Sequence, residues 1–166
     1  PEMMALGAWF ASRISEPTNH LRDTIGRLLP TLFSLEDLNK TEAREPLPRD
    51  VWMDEIEVMT ARDKAGSSDG LFVAVKGGHN EESHNHNDIG NFVVYINGDP
   101  VIIDAGVETY TAKTFGPDRY TIWTMVSSYH SLLPTIDGAE QLPGPEYMAT
   151  DASYSCNDDN ATVKLD

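Results

Sequence analysis

The chain has 166 residues, of which 40% are hydrophobic and 23% charged, which allows one ordinary domain with a sizeable core. Its formal net charge of −15 argues against nucleic-acid binding, because a phosphate-binding surface needs clustered Lys and Arg. No apolar run of about 18 residues predicts a membrane span. The only cysteine, Cys156, excludes an internal disulfide and is expected to be a buried or half-buried thiol. The sequence assigns neither a compartment nor an oligomeric state.

The first 45 residues have the pattern of helices. Apolar residues recur near a 3.6-residue period from Met3 to Ile14 and again from Leu21 to Leu32, and a third short helix is expected after Ser34. Pro30 is expected to limit or kink the second helix. Residues 45–50 contain two prolines and predict a linker.

After Trp52 the hydrophobic period changes to two, which is typical of β-strands. Asn97-Gly98 lies between two β-rich runs and predicts a hairpin with a two-residue turn. Many short strands without intervening helices predict an antiparallel β-sandwich. The strand patterns cover residues 55–58, 71–75, 92–96, 101–103, 147–154 and 161–165.

Several single residues carry weaker expectations. The tryptophans, Trp9, Trp52 and Trp123, have rings that could stack on sugars, and we expect core packing for each. Asp158-Asp159, which is flanked by asparagines, predicts a turn.

Four of the five histidines lie between residues 79 and 130, most densely in the stretch from Gly77 to Asp88. The spacing His84-x-His86 is meaningful because neutral imidazole is a common metal ligand, and residues i and i+2 of an extended segment point to one face. Alternatively, one histidine binds metal while the other faces substrate. Further ligands could come from the carboxylate and the later histidine at Asp104 and His130. His79 is expected to be a loop residue rather than a fourth ligand.

The predicted hairpin brings Asp104 near these histidines only if the intervening chain folds back. A two-residue turn at Asn97-Gly98 pairs Asp104 with Asn91, and a turn one residue later pairs it with Val93. A fully extended segment would leave His86 roughly 17–23 Å away, at about 3.3 Å per residue. Reversal is expected at the residue types that permit it, which are Asn87, Asp88 and Gly90.

Two other metal motifs match this stretch in part. Residues 84–88 fit the first five positions of the metallo-β-lactamase motif, but Ile89 replaces its last histidine and the βα alternation of that fold is missing. Gly78 and the His-x-His pair fit the opening of the cupin motif, whose glutamate is absent here. A solvated loop rich in turn-forming residues is the simplest alternative.

The stretch from Gly77 to Gly138 resembles the heparinase II/III-like family of polysaccharide lyases. The resemblance implies an antiparallel β-sandwich preceded by an (α/α) toroid. Residues 1–45 would then be the end of a truncated toroid, and residues 46–166 a sandwich cut short at its C-terminus. The matching pieces follow the family's order and lie at residues 84–92, 103–106, 110, 119–120, 128–130 and 136–138.

The resemblance also implies a role for individual residues. His84 matches a histidine that faces the uronate and takes part in catalysis, and Tyr110 or Tyr120 would be the tyrosine near the site. The family's ligands for a structural Zn²⁺ match His86, Asp104 and His130.

The implied activity is β-elimination in a uronic-acid-containing polysaccharide, either a glycosaminoglycan or an alginate-like polymer. The family's other catalytic groups lie in the toroid, so we expect this chain alone to bind metal without cleaving polymer. Its partners would be an acidic polysaccharide and the missing N-terminal toroid domain of the same protein. The alternatives are a non-catalytic, zinc-stabilised β-sandwich that binds carbohydrate or a partner domain, and a metal enzyme on a cupin-like or metallo-β-lactamase frame.

Overall fold

The computed structural model describes residues 25–43, 47–131 and 136–166. The chain divides into two compact units, Pro1–Leu47 and Pro48–Asp166. The helix expected between Met3 and Ile14 lies outside the described residues, as does Trp9. Among the residues that are described, no helix is both long and apolar enough to cross a membrane.

The described part of the first unit is one helix, α1, Ile25–Lys40. It continues through Pro30, so the expectation of a separate short helix after Ser34 is wrong. A proline removes one backbone donor, but three leucines, Glu36 and Lys40 follow it as good helix formers and favour continuation of the helix. An exposed ion pair one turn apart, Glu36 with Lys40 at 2.5 Å, lies at its C-terminal end.

The second unit is mainly β, with antiparallel pairing throughout, which confirms the predicted fold class. A five-stranded sheet has the order β1-β2-β3-β5-β6, and two smaller sheets pair β4 with β7 and β8 with β9. The strands within the described residues are β1 (Asp50–Met53), β2 (Val58–Arg62), β3 (Leu71–Lys76), β4 (His79–Asn80), β5 (Phe92–Ile96), β6 (Asp99–Ile102), β7 (Gly144–Met148), β8 (Ser153–Cys156) and β9 (Ala161–Lys164).

Two strand predictions are wrong in their extent. The alternation over residues 55–58 lies largely in a 3₁₀ turn, Asp54–Ile56, after which Glu57 takes a left-handed φ of 50°. This tight reversal lets Met53 pair with Val58, and β2 starts only there. The segment 147–154 is divided between the end of β7 and the start of β8.

The predicted two-residue turn at Asn97-Gly98 is present. Asn97 and Gly98 have φ values of 54° and 84°, the positive values that a type I′ turn requires, and Ile96 pairs with Asp99. A β-bulge then shifts the register of the β5–β6 pair between Val94 and Tyr95. The hairpin therefore directs the chain beyond β6 back toward the start of β5.

The interior of this unit is notably polar. The buried apolar residues among those described are Met59, Met125 and Ala149. Buried polar residues outnumber them, and the side chain of each except Thr124 makes at least one hydrogen bond within the described residues. They are Asn80, Asn85, Asn87, Thr114, Thr124, Ser127 and His130. Hydrogen bonds between loops, more than apolar packing, therefore define the geometry of this region.

Two aromatic expectations are resolved differently. Trp52 is half-buried and stacks on Tyr154, with ring centroids 5.7 Å apart. Trp123 is 48% exposed and contacts Tyr129 edge-to-face, so core packing was wrong for it. It lies in a run of short 3₁₀ turns in which its neighbour Met125 takes the buried position.

Other single-residue expectations have mixed outcomes. Cys156 is exposed rather than buried, because it lies at the turn end of the β8–β9 hairpin. The turn predicted there is present, and the Asn157 side chain accepts the backbone N–H groups of Asp159 and Asn160. His79 lies in β4 rather than in a loop, and its Nδ1 accepts the Glu81 amide at 3.1 Å.

Candidate functional site

The histidine-rich segment between β4 and β5 folds back on itself. Gly90 has a φ of 81°, and its amide donates to the carbonyl of Lys76 at 2.8 Å. The Lys76 ammonium pairs with the Asp88 carboxylate at 2.8 Å, with both side chains mostly buried. This reversal returns the loop to the end of β3 instead of leaving it extended. We call residues 84–90 the histidine loop.

Asp104 and His130 are in direct contact. Oδ1 of Asp104 lies 2.5 Å from Nδ1 of His130 and also accepts the Asn91 side-chain amide at 2.7 Å. The Gly106 amide donates to the other carboxylate oxygen at 2.6 Å. Burial alone would raise the pKa of Asp104, but these hydrogen bonds and the adjacent imidazole hold it below its usual value. The carboxylate is therefore ionised and oriented.

His86 lies against His130, with ring centroids 5.2 Å apart. Burial lowers the pKa of His86, and the nearby His130 imidazole lowers it further. Both effects favour the neutral ring, which is the form that binds metal ions. The structure thus brings together His86, Asp104 and His130, which come from three separate segments.

The donor types suit zinc, although the atoms are not at coordination positions. Two ligands on one tetrahedral zinc lie about 3.3 Å apart, so the 2.5 Å contact between Asp104 and His130 is a hydrogen bond. In residues 25–43, 47–131 and 136–166, no group of three His, Cys, Asp or Glu side chains is arranged to hold an ion. However, Nε2 of His130 is buried and has no hydrogen-bond partner. With Nδ1 donating to the carboxylate, this nitrogen presents an unsatisfied lone pair that a cation would satisfy.

His84 lies on the exposed side of the loop, next to Tyr110. The Tyr110 hydroxyl is 3.3 Å from Nδ1 of His84, and the two rings are nearly parallel at 5.8 Å. The Phe115 ring lies nearly perpendicular to both of these rings, in T-shaped contacts. His84 lies in a turn and has a left-handed φ of 63°. An imidazole and a phenol in contact at the surface can pass protons to and from a bound molecule.

Tyr120 occupies a different environment. Its hydroxyl accepts the Asn85 side-chain amide at 3.3 Å, and no contact with His84 is found in the part of the chain that the structure describes. Of the two candidate tyrosines, the structure therefore places Tyr110 next to His84.

Two residues named from the sequence, Asn87 and Arg119, have structural roles in the site that were not predicted. Asn87 is 1% exposed, its amide donates to the Met125 carbonyl at 3.0 Å, and its side chain donates to the Gln141 carbonyl at 3.0 Å. The Arg119 guanidinium donates to the carbonyl of Asn85, at the base of the histidine loop. An asparagine inside a His-Asn-rich string reads as a turn former, so the sequence offered no signal for its burial.

A family model described as "Heparinase II/III-like, C-terminal" matches residues 45–165. This range contains the three sheets, the histidine loop and the segment that carries His130. A comparison with curated proteins found no match. Since the family match covers most of the sequence, the chain belongs to the heparinase II/III-like family.

Proposed function

We propose that this chain is part of a polysaccharide lyase that cleaves a uronic-acid-containing polymer by β-elimination. Family membership supports the reaction class. The observation that carries the proposal to particular residues is the contact of Tyr110 with His84 at 3.3 Å, two positions before the partly buried His86. The surface pair of His84 and Tyr110 is therefore linked through the chain to the partly buried His86.

The chemistry requires a base, an acid and charge stabilisation. The base removes the proton from carbon 5 of the uronate, the bond from carbon 4 to the linking oxygen breaks, and an acid protonates that oxygen. A double bond forms between carbons 4 and 5. His84 and Tyr110 supply an imidazole and a phenol for the two proton transfers. Oriented donors must also neutralise the sugar carboxylate as charge develops next to it.

We further propose that His86, Asp104 and His130 hold a structural zinc ion. The neutral form of His86, the ionised Asp104 and the unpartnered Nε2 of His130 support this set. Bound there, zinc would serve to fix the loop rather than to activate water. Anchoring the loop through His86 would hold His84 in position, because only one residue separates them.

The chain is proposed to act together with a helical toroid domain of the same protein. A net charge of −15 repels a polyanion, so the groups that attract an acidic polysaccharide would have to be supplied by that domain. On this proposal, the chain alone binds metal but does not cleave polymer.

Zinc binding is tested by metal analysis of the purified chain after dialysis. We expect about one zinc per chain, lost in His86→Ala and His130→Ala. It should be retained in His79→Ala, a matched histidine whose side chain hydrogen-bonds only within its own segment among the described residues. A wild-type chain without zinc, or equal zinc in all four proteins, would contradict the metal proposal.

Lyase activity is tested on the chain joined to the toroid domain that the family places before it. Heparin, heparan sulfate and alginate are the substrates, and the ultraviolet absorbance of the unsaturated uronate is the readout. We expect His84→Ala and Tyr110→Phe to lower the rate by about 10²- to 10⁴-fold. Tyr120→Phe is the matched control and should change it little.

Three outcomes would contradict parts of this proposal. An equal loss in Tyr120→Phe and Tyr110→Phe would contradict the assignment of Tyr110. A rise in absorbance with the chain alone would contradict the need for the toroid. Zinc binding without product from any of the three polymers would instead favour a non-catalytic, zinc-stabilised sandwich.

A further inference from the structure

Gln141 lies just before β7 and contacts the C-terminal part of the histidine loop. Its side-chain Oε1 accepts the Ile89 amide at 3.1 Å, and its Nε2 donates to the Ile89 carbonyl at 2.8 Å. One side-chain amide thus satisfies both backbone groups of one loop residue, as a neighbouring strand would. This paired bonding fixes the rotation as well as the position of the loop at Ile89.

The backbone of Gln141 reaches both segments that carry the candidate histidine ligands. Its carbonyl accepts the side-chain amide of the buried Asn87, the residue after His86, at 3.0 Å. Its amide donates to the hydroxyl of the buried Ser127 at 2.9 Å. Ser127 begins the 3₁₀ turn Ser127–Tyr129, and His130 follows directly. Gln141 is therefore bonded to both segments.

Neighbouring groups strengthen the same connection. The Glu140 carboxylate accepts the Ser127 hydroxyl at 2.7 Å and the Ser128 amide at 3.2 Å. A second bond to Oε1 of Gln141 comes from the buried Asn80 side chain at 3.2 Å. The polar groups of this junction are thus mostly satisfied, which makes it specific in geometry as well as stable.

We propose that Gln141 is a positioning residue that holds the histidine loop and the segment 127–130 together, so that His86 and His130 face each other. Within the described residues it makes no hydrogen bond to either candidate histidine, and it acts through Ile89, Asn87 and Ser127. The inference rests on the proposed function only where zinc is concerned, because the coupling of the two segments exists without the ion.

The first test is residue-level hydrogen exchange on the Gln141→Met chain. Methionine keeps the length of the side chain but removes its three hydrogen bonds, while the backbone bonds of Gln141 remain possible. Faster exchange at the Ile89 amide does not test the inference, because that amide loses its own hydrogen-bond acceptor in the variant. The informative amides are those of Asn87 and His130, which bond to other groups. We expect both to exchange on the order of tenfold faster.

The second test is zinc affinity, measured by competition with a chelator. We expect Gln141→Met to bind zinc about tenfold more weakly, at the lower end of the effect of removing a group bonded directly to a ligand, because Gln141 acts on the histidines through other residues. The control is Asn157→Ala, which removes another amide that caps a turn, in the β8–β9 hairpin. It is expected to leave zinc affinity and both informative amides unchanged.

Unchanged exchange at either Asn87 or His130 in Gln141→Met would overturn the inference, whether or not the chain binds zinc. An equal loss of zinc affinity in Asn157→Ala would also overturn it, since general destabilisation would then be sufficient. If the wild-type chain binds no zinc, the metal part of the proposed function fails, and the exchange measurement alone decides the role of Gln141.

Discussion

Replacing Asp104 by alanine removes the carboxylate that hydrogen-bonds three groups of the site. Its carboxylate accepts three hydrogen bonds, from His130 at 2.5 Å, Asn91 at 2.7 Å and the Gly106 amide at 2.6 Å. Alanine leaves all three donors without this partner. A loss of folding stability is therefore expected even when no metal ion is bound.

The size of the stability loss depends on which of the three donors can hydrogen-bond to water instead. Hydrogen bonds to a charged acceptor contribute about 1.5–3 kcal/mol each, which would give an upper limit of about 4.5–9 kcal/mol. The Asp104 side chain is 28% exposed, however, so the Asn91 side chain and the Gly106 amide can hydrogen-bond to water there instead. The His130 side chain is 0% exposed and cannot. We therefore expect a loss of about 2–4 kcal/mol in the free energy of unfolding, mostly from the stranded imidazole.

The assay is urea unfolding in the presence of a chelator, so that loss of metal does not contribute. Asp104→Asn keeps the shape and one acceptor oxygen and should lose about half as much as alanine. Asp99→Ala is the control, because Asp99 is exposed in the same hairpin and makes no side-chain hydrogen bond within the described residues. It should change the stability by less than about 0.5 kcal/mol. Equal midpoints for Asp104→Ala and Asp99→Ala would refute the reasoning.

Three further predictions concern the supports of the site. Gly98→Ala should lower the melting temperature by an amount equivalent to about 1 kcal/mol, since φ is 84° there, and an unchanged melting curve would contradict the turn geometry. Arg119→Lys should lower the free energy of unfolding in urea by about 1–2 kcal/mol, because an ammonium cannot bridge the carbonyls of Asn85 and Thr114 as the planar guanidinium does. Equal unfolding midpoints would contradict the bridge. Hydrogen bonds from two serines hold the pKa of Glu140 below 4.5, so its stabilising effect should be present above about pH 4.5 and lost as the pH falls through the lower folded-state value. Unfolding midpoints of the wild type and Glu140→Gln should therefore differ at about pH 7 and converge at about pH 3, and a gap that does not depend on pH would disprove this.

The strands could be predicted where a local pattern determines them. The apolar runs at residues 71–75 and 92–96 pair with each other as β3 and β5, and Asn97-Gly98 can adopt the positive φ values of its turn. Prediction from the sequence was wrong at Pro30 and over residues 55–58. The helix continues through Pro30, because a proline removes one hydrogen bond of a helix without always ending it. The alternation over residues 55–58 gave way to a turn that reverses the chain between β1 and β2.

The candidate site could be predicted only in its local part. Beyond the bulge Val94 pairs with Ile102, a register that continues to neither of the two pairings expected for Asp104, although the side chains of Asp104 and Asn91 do meet at 2.7 Å. The proximity of His130 rested on a family resemblance, since no local pattern links positions 26 residues apart. Gln141 carried no signal at all, because its role depends on a hydrogen-bonding pattern that exists only after two distant loops meet.

The β5–β6 hairpin also predicts which length changes this family can accept. Its turn is exposed, and exposed turns usually accept insertions and deletions. Side chains alternate along a strand, so a one-residue change beyond the bulge would send the Asp104 carboxylate to the opposite face. Natural variation in length should therefore concentrate in the exposed turn, where an added residue leaves the pairing of β5 with β6 unchanged, and should be absent between the bulge and Asp104.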